Sequence, residues 1–359
     1  MEEQTKSLPH GGDWAGFAAE CGVLPLDFSA SVSPLGLPGG VRTAAAQALG
    51  KADRYPDPLC RALRRAIAAE EGVAEEMVLC GCGAADLIWR AVGAWRPRQA
   101  LVLAPTFSEY ENALHAAHCA VAHGALRRET GFAAGEELLD ALTPEVDMAF
   151  FCQPNNPTGR TLSPALLEAV LARCARAGIF AVVDECFLGF LDDPAAHSAK
   201  RFLAVQPGLL VLKAFTKLHA MAGLRLGYAL CADRAFLEQM CRCGPPWAVS
   251  IPAEAAGIAA LRERDYVAQV RALIHAERPR LAAGLAALGC EVIPGEANFL
   301  LFRAPVPLLE PLRKQGILLR NCANFRGLGA RWYRVAVRRP EENRRLLAAM
   351  KTIIEEAKA

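Results

Sequence analysis

A lysine followed eight positions later by an arginine, in Lys217-Leu-His-Ala-Met-Ala-Gly-Leu-Arg225, supplies two groups with complementary chemistry. A buried lysine with a lowered pKa condenses with a carbonyl, and an arginine grips a phosphate through its planar fork of donors. A cofactor that is at once an aldehyde and a phosphate, pyridoxal 5′-phosphate, needs both. Its pyridinium ring draws electrons only while the ring nitrogen stays protonated, which a carboxylate partner ensures. Asp184, at the end of the apolar run Ile179-Phe-Ala-Val-Val183, suits that part. Asn156, in Gln153-Pro-Asn-Asn-Pro-Thr-Gly159, could donate to the ring oxygen, and Phe107 could stack on the ring face. Gly83, Ala84 and Ala85 open a helix whose free N–H groups and dipole attract an anion, beside Arg225. Asp86 occupies the third glycine position of the dinucleotide-binding pattern, so that fingerprint is not met.

Each residue also has a plainer reading. Lys217 could be a solvated strand end, Asp184 a helix cap, Asn156 part of an Asn-Pro turn, and Phe107 core. Their shared placement after strands favours the chemical reading. Apolar runs at Ala100–Ala104, Val146–Cys152, Ile179–Val183 and Leu209–Leu212 alternate with helical stretches, the pattern of a largely parallel sheet covered on both faces. In such sheets the ligand sits beyond the carboxyl ends of the strands, where Phe107, Asn156, Asp184 and Lys217 all fall.

The remaining elements frame this sheet. His10-Gly-Gly-Asp13 and the segment from Leu24 to Gly36 read as loop, and the His-Gly-Gly turn can present N–H groups and an imidazole to an anion. Two prolines at Arg54-Tyr-Pro-Asp-Pro58 break a helix and hold Tyr55 extended. Cys243-Gly-Pro-Pro-Trp247 marks a boundary, followed by a long helix over Pro252–Leu288 that links two domains. Strands at Glu291, Asn298–Phe302 and Tyr333–Val337 then form a smaller α+β domain. The expected division is residues 1–40 as an N-terminal arm and small-domain segment, 41–245 as the large cofactor domain, and 246–359 as the C-terminal small domain.

Composition excludes several classes. The chain has 359 residues, 53% hydrophobic and 22% charged, with a net charge of +2, which suits a globular enzyme and neither nucleic acid nor an anionic membrane as partner. Met1–Pro9 is polar, with no secretory core, and no apolar run reaches spanning length, so the expected location is cytoplasmic. The thirteen cysteines are scattered through apolar segments and read as reduced core thiols. His115 and His118 have helical spacing, with His123 close by, but a partly exposed helix face explains them better than a metal, and no metal site is expected.

Tyr55-Pro-Asp57, Asn156-Pro-Thr-Gly159, Asp184-Glu185, Thr216-Lys217 and Arg225-Leu-Gly-Tyr228 together resemble the fold type I pyridoxal-phosphate enzymes, in the branch of the histidinol-phosphate aminotransferases. Within that branch the chain is most similar to the threonine-phosphate decarboxylases of cobalamin biosynthesis, through His10-Gly-Gly-Asp13, Leu26-Asp-Phe-Ser-Ala-Ser31, Phe187, Asn321-Cys-Ala-Asn-Phe-Arg-Gly-Leu328 and Tyr333-Arg-Val-Ala-Val-Arg338. The resemblance implies that Lys217 bonds the cofactor, that Asp184 pairs with its ring nitrogen, and that Thr216 lies among the cofactor contacts. It further implies a homodimer in which Tyr55 reaches the cofactor phosphate of the neighbouring subunit, with Arg334 on the substrate carboxylate and Asn156 facing the ring hydroxyl. Phe187 stands where aminotransferases usually carry a tyrosine, and Ala214 where many relatives place a phosphate-binding serine. A phosphate on the substrate needs its own cations and donors, for which His10, Gly11, Arg320, Arg326 and Arg338 are available. The implied reaction is decarboxylation of L-threonine O-3-phosphate to (R)-1-amino-2-propanol phosphate. The alternative is transamination of histidinol phosphate or a similar phosphorylated amino acid.

Overall fold

The computed structural model describes residues 10–358, so the polar stretch Met1–Pro9 lies outside the described residues. Seven strands form the main sheet: β1 (Val78–Gly81), β2 (Gln99–Ala104), β3 (Ala120–Ala125), β4 (Met148–Cys152), β5 (Phe180–Asp184), β6 (Leu209–Ala214) and β7 (Gly227–Cys231). Their order is β1-β7-β6-β5-β4-β2-β3. β7 runs antiparallel to both its neighbours, and the pairings from β6 to β3 are parallel. This is the expected α/β class with a mostly parallel sheet.

Neither β3 nor β7 was expected as a strand. His123-Gly124 interrupts the apolar run of β3, an edge strand whose side chains stay partly exposed. In β7 the apolar residues follow directly on the Arg225-Leu-Gly-Tyr228 motif.

Alternation along the central strands explains why both faces are covered. Ala149 and Phe151 of β4 enter one hydrophobic cluster with Ala181 and Val183 of β5. Met148, Phe150 and Cys152 enter the opposite cluster with Phe180 and Val182. A period of two with every residue apolar is what a sheet buried on both sides requires.

A second, antiparallel sheet pairs Trp332–Ala336 with Phe299–Arg303 and with Arg320–Asn321, with Glu291–Val292 at the other edge. Leu26–Asp27 pairs in parallel with Ile317–Leu318, which ties the N-terminal segment to the C-terminal part of the chain. A third cluster, including Phe28, Ile274, Phe299, Phe302, Leu346 and Met350, fills this part.

The single long helix expected over Pro252–Leu288 is two helices, Ile251–Ala260 and Arg264–Ala287. At the break, Arg262 and Glu263 donate to the carbonyls of Ala259 and Ala260, a tightened last turn. The two helices serve different cores. Ala253, Ala256 and Ala260 pack with the main sheet's cluster, and Val270, Ile274, Leu281 and Leu285 pack with the second. Residues 246–260, expected in the smaller domain, therefore share the core of the large sheet, and the change of core falls at Leu261–Glu263. No helix among the described residues is long and apolar enough to cross a membrane. All thirteen cysteines are free, and eight of them are buried.

A buried charge cluster braces the sheet behind the site. Helix Arg61–Glu71 ends at Gly72, which adopts the left-handed conformation (φ 66°). Glu71 there accepts from the Nζ atoms of Lys200 and Lys213 at 2.8 Å each, and from the Tyr228 hydroxyl at 2.5 Å. Burial would raise its pKa, but Lys213, Lys200 and Tyr228 outweigh that and hold it at about 2. A value below the ordinary 4.5 means that the contribution to stability is complete above about pH 4.5 and is lost as the pH falls through about 2. Glu71→Ala leaves two ammoniums without their shared partner, and the expected loss at pH 7 is roughly 3 kcal/mol. Denaturant unfolding at pH 7 and at pH 3 checks this, with a narrower gap between variant and wild type at the lower pH. Equal gaps at both would sever the cluster from stability.

Candidate active site

The site is built at the carboxyl ends of β4, β5 and β6. Lys217 follows β6 by three residues, and its carbonyl accepts from the Ser33 N–H at 2.9 Å, so the N-terminal segment is fastened beside it. Its Nζ lies 5.6 Å from the centre of the Phe187 ring, which meets Phe299 edge-on at 5.0 Å. Burial, aided by the nearby charges of Arg334 and Arg225, pushes the Lys217 ammonium below the usual lysine range against the opposing pull of Cys186 and Asp184. An amine in that environment is a better nucleophile and proton acceptor at neutral pH.

Asp184 is the last residue of β5 and is buried. Its Oδ1 accepts from the Cys186 N–H at 3.0 Å and its Oδ2 from the Tyr110 hydroxyl at 2.7 Å. The first of these is a local turn contact and not the helix cap of the plainer reading, since the short helix Leu188–Phe190 has Phe187 at its N-cap. The second spans the fold, and sequence reasoning missed Tyr110, because helical periodicity marks it only as apolar core.

The two asparagines after β4 divide their work. Asn155 locks the loop by accepting from Thr106 Oγ1 at 2.6 Å and donating to the Pro105 carbonyl at 2.9 Å and to Thr158 at 3.0 Å. Asn156 faces the site, and its Oδ1 accepts from a guanidinium nitrogen of Arg334. Arg334 also donates to the Ser29 carbonyl at 2.9 Å, while its buried Nε has no partner among the described residues. Burial lowers its pKa to about 10. Arg320 sits directly opposite Arg334 on the neighbouring strand, and both are buried.

Gly83 has φ +83°, and a Cβ there would stand 2.9 Å from a guanidinium nitrogen of Arg225. Glycine is therefore needed both for the backbone angle and for the arginine to lie across the helix start. Gly227, opposite Ala214, lets β7 approach the Ala84 N–H, with a Cβ there also only 2.9 Å away. Arg225, itself at φ 57° and exposed, thus lies against the Gly83–Ala85 turn, and Thr216, directly before Lys217, is buried.

Helix Ser108–Ala116 orders the rim. Phe107 is its N-cap residue, edge-on to Tyr110 at 5.6 Å and 5.8 Å from the His10 ring. Glu109 accepts from Trp89 at 3.2 Å and pairs with His10 Nε2 at 2.9 Å. Glu111 pairs with Arg326 at 3.0 Å and lies 3.3 Å from His123 and 3.8 Å from His115. Three successive residues, 109 to 111, thereby hold groups distant in sequence: His10 and Trp89, Asp184, and His123 and Arg326. His118 falls beyond the helix end at φ 57°, so the expected helical pairing of His115 with His118 is not made, and it is His115 and His123 that share Glu111. Gly11 packs so tightly that a Cβ would come within 2.3 Å of the Ser29 carbonyl oxygen.

One expected residue stands elsewhere. Arg338 is committed to Glu342 at 2.6 Å and to the Asp27 carbonyl at 3.0 Å, fastening the N-terminal strand to the C-terminal helix, so it is withdrawn from the substrate phosphate. Tyr55 is 78% exposed and stacks on Trp247 at 4.5 Å, with no site residue of its own chain against its ring.

The aminotransferase class I and II model matches residues 25–350, nearly the whole chain. The chain belongs to that family. It is 36% identical over 352 residues to a threonine-phosphate decarboxylase from Salmonella typhimurium, covering 96% of both chains. To a histidinol-phosphate aminotransferase from Anaeromyxobacter it is 34% identical over 328 residues, covering 90% of this chain and 87% of the other. The histidinol-phosphate aminotransferase of Sinorhizobium meliloti, solved in complex with pyridoxal 5′-phosphate, superposes with a TM-score of 0.86 over 99% of both chains at 22% identity. That likeness carries the fold: the class I and II architecture is the type I arrangement expected from the motifs.

Proposed function

We propose that this family member is a pyridoxal 5′-phosphate-dependent carboxy-lyase that converts L-threonine O-3-phosphate to (R)-1-amino-2-propanol phosphate for cobalamin biosynthesis. The residues present fit the cofactor. The Gly83 turn, where a Cβ would meet Arg225, is a cradle for its phosphate, Asp184 is a buried carboxylate for its ring nitrogen, and Lys217 is an amine with lowered proton affinity. Asn156 would meet the ring oxygen and Phe107 the ring face.

The observation that carries the substrate reading is the cross-strand placement of Arg320 opposite Arg334. A substrate with both a carboxylate and a phosphate calls for two guanidinium forks side by side, with His10 at the rim as a further donor. When bound, the cofactor supplies an electron sink for the bond that breaks at the substrate Cα. Lys217 would hold the cofactor at its aldehyde carbon and would stay beside the substrate amine as the nearest amine base. Asp184 holds the proton at the ring nitrogen. Arg334 orients the carboxylate for departure as carbon dioxide, and the Lys217 ammonium then returns a proton to the same carbon. Phe187 and Phe299 line this place with apolar surface. We further place the enzyme in the cytoplasm as a homodimer, with the exposed Tyr55 of one protomer reaching the cofactor phosphate of its partner.

The aminotransferase relative supports a second reading, transamination of histidinol phosphate or a similar compound. Phe187, which has no phenol to offer beside Lys217, weighs toward the lyase. The test is incubation with threonine phosphate and trapping of carbon dioxide, beside 2-oxoglutarate-dependent consumption of histidinol phosphate. Release of carbon dioxide without an oxo acid is expected, and transamination without it would reject the lyase reading. Serine phosphate run in parallel measures how far the substrate methyl matters. Arg334→Lys removes the planar fork, and KM for threonine phosphate should rise on the order of ten-fold or more. An unchanged KM takes Arg334 out of the substrate site.

A further inference from the structure

We propose that Tyr110 is a positioning residue which, through its hydrogen bond to Asp184, holds that carboxylate in the orientation needed at the cofactor ring nitrogen. This rests on the reading of the site given above. Tyr110 is fully buried, and its hydroxyl reaches Asp184 Oδ2 at 2.7 Å. Its ring is stacked on Phe150 at 5.0 Å and edge-on to Phe107 at 5.6 Å, so packing leaves the hydroxyl a single location. With the Cys186 N–H on Oδ1, each carboxylate oxygen receives one fixed donor. The carboxylate cannot turn without breaking one of them, and each oxygen keeps a lone pair for a further partner.

The titratable groups that face Asp184 are Tyr110, Cys152, Cys186 and Lys217. Burial pushes both thiols up, so they stay neutral at physiological pH. Burial and then the charge of Asp184 push the Tyr110 phenol well up, so it remains a donor. A hydrogen bond from a neutral donor to an ionised carboxylate is charge-assisted and favours the ionised form. Without it, one carboxylate oxygen loses its fixed donor and the group is free to rotate about its bond away from the ring nitrogen.

The experiment compares wild type and Tyr110→Phe, both loaded with pyridoxal 5′-phosphate. Phenylalanine keeps both ring contacts and removes only the hydroxyl. The expected outcome is a kcat lowered on the order of ten- to a hundred-fold, the range that a hydrogen bond to a charged group controls, with KM within about twofold. Two readouts independent of turnover accompany it: a shifted pH midpoint of the visible chromophore, and faster loss of pyridoxal 5′-phosphate on dialysis. In an Asp184→Asn background the same substitution should add no further loss of cofactor, because the pathway through the carboxylate is already gone. Wild-type chromophore titration and retention in Tyr110→Phe, or an additive loss in the double variant, would overturn the proposal and leave Tyr110 a core residue. A wild-type protein that develops no visible absorbance with pyridoxal 5′-phosphate is a different failure, since it removes the site reading itself.

Discussion

Lys217→Ala is expected to release carbon dioxide from threonine phosphate on the order of ten-thousand-fold more slowly than wild type, because one side chain both bonds the cofactor and moves the proton. Stability should hold, since alanine removes an ammonium that burial already disfavours. Borohydride treatment of the loaded wild type should fix pyridoxal 5′-phosphate irreversibly to the peptide that contains Lys217, seen by mass, and leave the variant unlabelled. Retention of even a tenth of wild-type turnover by the variant, or label on another lysine, would be incompatible with the role assigned to this residue.

Asp184→Asn is expected to cost on the order of a hundred- to a thousand-fold in kcat. The amide has the shape of the carboxylate and can still accept the Tyr110 hydroxyl or the Cys186 N–H, so packing in this fully enclosed corner is preserved. It has no charge with which to hold a proton on a pyridine nitrogen, and the electron sink weakens accordingly. Steady-state rates together with the visible spectrum of the loaded variant decide the matter. A kcat within threefold of wild type would mean that Asp184 serves the local turn and not the ring.

Much of this architecture is legible in the sequence. The buried strands β2, β4, β5 and β6 announce themselves as short continuous apolar runs, because a strand covered on both faces needs every side chain apolar. The chemistry-bearing residues directly after those runs then had to gather at one edge of the sheet. Less was legible where the local signal is shared by several structures. The helix break at Leu261–Glu263 contains no proline or glycine, and two cores on either side of it, rather than any residue in it, divide the segment. Arg338 was indistinguishable by type from Arg334, four residues earlier. In the fold one donates toward Asn156 and the other toward Glu342.

The amino-acid order thus established the kinds of group on hand and the edge of the sheet at which they collect, since periodicity and strand ends are properties of neighbouring residues. Which of them touch was decided in three dimensions: Tyr110 with Asp184 across 74 positions, Arg334 with Asn156 across 178, and Arg334 with the Ser29 carbonyl across 305. A side-chain hydrogen bond needs its atoms about 3 Å apart and aligned. Hydrophobic patterning says only which face of an element turns inward, and nothing about which remote group it will find there.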